Sequence, residues 1–79
     1  MIKFKVNNKV RYIGKYTLLH NHIGKVVHIG YSIENVILSV NWESFNSGHK
    51  CGGIINSNKD SGWNVLAYEV ELINNDWDL

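Results

Sequence analysis

The chain has no proline, one cysteine and one arginine among its 79 residues. A single thiol, Cys51, cannot close an internal disulfide, so nothing in the composition asks for an oxidising compartment. It also cannot form Cys-x-x-Cys, the usual mark of a structural zinc site. With Arg11 as the only arginine and a formal net charge of +1, the chain lacks the electrostatic footprint of a nucleic-acid or membrane-surface binder. No apolar run reaches the ~18 residues of a membrane-spanning helix. Met1 to Val6 alternates charged and apolar residues, unlike a secretory signal. Neither a 3.6-residue periodicity nor an internal repeat nor a linker is visible. These absences together lead us to expect a soluble, cytoplasmic protein of one domain.

What is present suits a small globule. A hydrophobic content of 44% argues against disorder. A domain this short buries only about 60% of its unfolded surface, so its stability margin is thin. Asparagine, isoleucine and lysine are abundant, the bias of an AT-rich genome.

The centre of the chain is Gly24 to Trp42. Val36, Leu38, Val40 and Trp42 alternate with Ile37, Ser39 and Asn41, the period of a half-buried strand. A strand over Ile23–Tyr31 precedes it across the polar turn Ser32 to Asn35. Val26 and Ile29 cannot share a face under strict alternation; a bulge near Val27-His28, or burial on both faces, would reconcile them. Asn7-Asn8 is a turn signal, and Lys9 to Ile13 alternates as a first strand ending at Gly14. Leu18 and Leu19 sit in the loop that follows and are expected to fold over one end of the core. Trp63 to Ala67 reads as strand four, Tyr68-Glu69 as one helical turn, and Val70 to Ile73 as a short last strand. Residues 74–79 read as a polar, acidic tail carrying Trp77. Glu43 to Gly62 reads as a long, structureless loop, tied down in part by Ile54 and Ile55.

This order predicts an all-β fold: a small five-stranded SH3-like barrel with a long loop between strands 3 and 4, filling residues 1–79 as a single domain. Closure would remove the exposed edges that make short β chains aggregate. The expected core is Val10, Tyr12, Val26, Ile29, Val36, Leu38, Val40, Trp42, Trp63, Val65, Val70 and Leu72.

The run from Phe4 to Gly14, FKVNNKVRYIG, resembles the opening of many SH3-like and KOW-like modules, and Gly24-Lys25-Val26-Val27 resembles their second strand without its first glycine. Gly48-His49-Lys50-Cys51-Gly52-Gly53, with Gly62-Trp63-Asn64-Val65 and Glu69 to Ile73, resembles a group of small uncharacterised bacteriophage proteins. A more distant likeness is to the SH3-like repeat of Mind-bomb/HERC2 proteins, which bind other proteins. The resemblance implies a fold and a phage-like origin, and carries no activity.

Two clusters offer chemistry. His49 and Cys51 stand at i and i+2, as do His20 and His22, with His28 nearby; in an extended segment such pairs point the same way and could grip a metal. We expect none and no cofactor, because His49 and Cys51 are better read as fixing their loop, with glycines at its corners. A Cys51–histidine nucleophile lacks an orienting acid in the adjacent sequence, so no catalytic residue is assigned and no enzyme is expected. The aromatic residues outside clear inward positions, Tyr16, Tyr31, Tyr68 and Trp77, are contact candidates, as aromatics are enriched in binding hot spots.

The sequence thus points to a non-enzymatic protein-binding module, a phage accessory protein that binds and inhibits a host factor of anti-phage defence such as a CRISPR nuclease. Its expected site is Tyr16, Tyr31, Asn46, His49, Lys50, Cys51 and Trp77. The alternative is a KOW-like RNA- or DNA-binding domain using a basic N-terminal face of Lys3, Lys5, Lys9, Arg11, Lys15 and Lys25.

Overall fold

In the computed structural model, which describes residues 4–55 and 59–74, the alternating run at Val36 forms one arm of a long hairpin. Strand β2 spans Ile23–Tyr31 and β3 spans Val36–Trp42, paired antiparallel from Gly24↔Trp42 to Tyr31↔Val36. The turn is closed by the Ser32 N–H donating to the Asn35 carbonyl at 2.8 Å and the Asn35 N–H donating to Ser32 Oγ at 3.1 Å. Pairing jumps from Val26↔Val40 to His28↔Ser39, so Val27 is the extra residue of the bulge. That single insertion lets Val26 be fully buried and Ile29 still pack on the core. Gly24 permits the close crossing at the other end: a Cβ there would lie 2.6 Å from Val40 Cγ1 and 2.8 Å from both the Asn41 carbonyl oxygen and Trp42 Cε3.

Strands β1 (Lys9–Tyr12), β4 (Gly62–Leu66) and β5 (Val70–Asn74) complete one antiparallel sheet in the order β4-β3-β2-β1-β5. The fold is therefore all-β and barrel-like. It is not a closed barrel, because among the described residues no ladder joins β4 to β5. The edge of β4 is protected otherwise. Gly62 exchanges two backbone hydrogen bonds with His49, at 2.7 and 2.9 Å, and the Leu66 N–H donates to Glu69 Oε1 at 2.8 Å. Partners at both ends of the strand limit the row of groups open to a foreign strand.

The inward faces meet in one core of Val10, Tyr12, Leu19, Val26, Leu38, Val40, Trp42, Phe45, Val65 and Val70. Ile29, Val36, Trp63 and Leu72, expected inside, are partly buried against it. Of the two loop leucines only Leu19 folds in, on the short 3₁₀ turn Thr17–Leu19; Leu18 is 56% exposed. Consecutive residues of one turn point apart, so both could not enter. The helical turn expected at Tyr68-Glu69 is a 3₁₀ turn spanning Ala67–Glu69. Among the described residues no helix is long and apolar enough to cross a membrane.

The stretch after β3 departs most from expectation. It buries Phe45, Cys51 and Ile55, and holds a 3₁₀ turn at Cys51–Gly53. A loop of this length needs its own buried side chains to be ordered.

Candidate binding surfaces

The β3–β4 loop is built by backbone and side-chain bonds that its sequence cluster supplies. The Cys51 N–H donates to His49 Nδ1 at 3.0 Å, which puts the neutral imidazole's proton on Nε2. Cys51 itself takes φ 49°, and Gly52 and Gly53 follow at φ 67° and 96°. A Cβ at Gly62 would lie 2.5 Å from Cys51 Sγ, so glycine there admits the thiol. Lys50 Nζ meets Asp60 Oδ1 at 2.7 Å, and the Asp60 N–H donates to Asn46 Oδ1 at 2.9 Å. Burial pushes the Cys51 thiol up from its ordinary pKa, which keeps it protonated and a weak nucleophile. Among the described residues, no three His, Cys, Asp or Glu side chains converge as metal ligands would.

This loop delivers His49 to Trp63, and the loop after β1 delivers Tyr16 to the same indole. The Tyr16 and Trp63 rings stack at 5.4 Å with planes 20° apart; His49 and Trp63 stack at 5.7 Å with planes 29° apart. Phe45, buried beneath, meets Trp63 edge-on at 6.4 Å and His22 at 6.2 Å. His49 is exposed and Tyr16 and Trp63 are partly so, giving an aromatic row held by two loops and a strand. Tyr16 is placed by the core: its N–H donates to the Tyr12 hydroxyl at 3.1 Å, and that hydroxyl donates to Glu69 Oε2 at 3.2 Å.

Of the residues expected at a protein-binding site, Tyr16 and His49 thus share a surface. Asn46, Lys50 and Cys51 are used inside the loop. Tyr31, 79% exposed, is at the far end of the hairpin: it pairs with Val36 while Trp63 pairs with Val40, about 13 Å along the strand. Trp77 lies outside the described residues. Trp63, expected in the core, keeps a part-exposed face, which has no signature in a period-2 pattern.

The basic face is dispersed differently from its sequence order. Arg11 is tied to Glu71 at 2.8 Å. Lys5 and Lys15 are exposed, and Lys3 lies outside the described residues. Lys9 and Lys25 are direct cross-strand neighbours. Both line an open groove of about 650 Å³ with Asn41, Glu43, Ser44, Asn46, Lys59 and Ser61, over buried Trp42 and Phe45. Asn41, Glu43 and Lys59 escaped sequence reasoning because their convergence depends on where the long loop lands.

No protein-family model matches the chain, and no curated protein and no solved structure is significantly similar to it.

Proposed function

We propose that this chain is a non-enzymatic protein-binding module that engages its partner through the row Tyr16, Trp63 and His49. The observation that carries the reading is the double stack on Trp63: rings from three separate segments meet there, and Tyr16, Trp63 and His49 stay partly or fully exposed while Phe45 is buried. Large, rigid aromatic side chains partly exposed and held from below are the usual anchors of protein interfaces. Loops on a rigid sheet are the usual carriers of recognition. A buried, protonated Cys51 supports the absence of thiol chemistry from the reading. The finer form, inhibition of a host defence factor such as a CRISPR nuclease by a phage accessory protein, rests on size and on the resemblance of the Gly48–Gly53 cluster.

The test is affinity capture from bacterial lysate with the tagged chain, with and without nuclease. A protein retained after nuclease, and reduced at least fivefold by Tyr16→Ala without loss of fold, supports the reading. Retention that disappears with nuclease, or that survives Tyr16→Ala and Trp63→Leu alike, overturns it.

A further inference from the structure

The cross-strand pair Lys9↔Lys25 is an electrostatic anomaly. Like charges directly opposite on one sheet face repel. Two other cations are matched to acids, Arg11 with Glu71 and Lys50 with Asp60. Lys9 and Lys25 make no ion pair with a described residue, and both face the groove. Lys59, on the β3–β4 loop, also lines the groove, and Glu43 is the one carboxylate among its described lining residues. The groove therefore concentrates positive charge on a chain that is nearly neutral overall.

Its surroundings specify more than charge. Lys25 and Asn41 also line a second hollow of about 360 Å³, bounded by Val6, Val27, Ile54 and Ile55. Val6 and Ile54 are each about half exposed, at 48% and 49%. An aliphatic shelf thus continues directly from the lysine pair. Base-stacking platforms are missing from the groove, since its rings, Trp42 and Phe45, are 1% and 6% exposed. The chain's one arginine is engaged with Glu71 and lines neither hollow. Lysine ammonium groups beside an aliphatic shelf suit a carboxylate next to a branched aliphatic residue better than a ribose-phosphate strand with its bases.

We infer that the Lys9–Lys25–Lys59 groove binds an acidic peptide segment, its carboxylates between the lysines and an adjacent aliphatic side chain on the Val6–Val27–Ile54 shelf. This goes beyond the reading above, because the groove is a surface separate from the Trp63 row, and it names the ligand's chemistry: a segment with consecutive acidic residues flanked by isoleucine or leucine.

The experiment uses the whole chain and a fluorescein-labelled peptide of glutamates followed by isoleucine and leucine, with an oligo-thymidylate of matching length in a parallel arm. Anisotropy gives affinity and backbone-amide NMR gives location. The expected result is saturable peptide binding that shifts the amides of Lys9, Lys25, Asn41 and Ser44. Lys25→Glu should weaken binding at least tenfold. The same variant should raise Tm by about 2–6 °C, because it converts a repulsive pair into an attractive one. Gain of stability with loss of binding is what a misfolded variant cannot show. Tighter binding of the oligo-thymidylate, unchanged affinity in Lys25→Glu, or peptide shifts confined to Tyr16, His49 and Trp63 would overturn the inference. The peptide needs no captured partner, so groove binding without any protein retained from lysate would leave the inference standing and remove the Trp63 reading instead.

Discussion

The hydroxyl of Tyr12 donates to the carboxylate of Glu69, 57 residues away in sequence, at 3.2 Å. The same oxygen accepts the Tyr16 N–H, and the other carboxylate oxygen of Glu69 accepts the Leu66 N–H. One phenol therefore joins the loop after β1 to the turn before β5, and sets the height of Tyr16 against Trp63.

Tyr12→Phe should cost about 1–3 kcal/mol in urea unfolding, since it strands partners that are partly buried. The phenol's pKa is raised, first by burial and then by the negative charge of Glu69. A raised folded pKa means that the native state holds this proton more tightly than the unfolded chain. Its stabilising contribution is intact below about pH 10 and is lost as pH climbs through and beyond that value. The fall of stability between pH 9 and 11 should be shallower in Tyr12→Phe; equal slopes for the two proteins would refute the coupling.

Leu38 is fully buried at the centre of β3, opposite both Ile29 and Val65. Leu38→Ala should lower stability by about 2–5 kcal/mol, a large part of what a domain of this size possesses. Thermal melts followed by near-ultraviolet circular dichroism, which Trp42 and Trp63 dominate, give the check.

Gly24→Ala brings a methyl group against Val40, the Asn41 carbonyl and Trp42. Backbone oxygen cannot move aside as a flexible side chain can, so the strands must separate. A loss of about 1–3 kcal/mol is expected, together with faster hydrogen exchange at the Gly24–Trp42 end of the hairpin than at the Tyr31–Val36 end.

Cys51 should resist modification. Its burial and raised pKa predict slow reaction with a disulfide reagent in the native state and a large acceleration in denaturant. A native rate close to that of a free thiol would show that the Cys51–Gly53 turn opens readily.

The strand pattern was legible because it is a local property. Alternation at Val36–Trp42 marks a strand wherever its partner lies, whereas the misfit between Val26 and Ile29 leaves a bulge and two-faced burial open until the pairing shows the bulge. The fixing role of His49 and Cys51 was readable for a similar reason: their hydrogen bond spans two residues. Phe45 was not, because a lone aromatic in a polar stretch has no period to betray its burial.

The residue sequence by itself determined the five strands, the hairpin and most of the core, since side-chain alternation and turn chemistry act within a few residues. Tertiary structure alone decided that the sheet stays open between β4 and β5, because closure depends on edge-to-edge distance across the whole fold. It also decided which residues meet at the surface. Tyr16, His49 and Trp63 come from three segments, and Lys9, Lys25 and Lys59 from β1, β2 and the β3–β4 loop. Their convergence follows from strand register and loop path, which no short window of sequence contains.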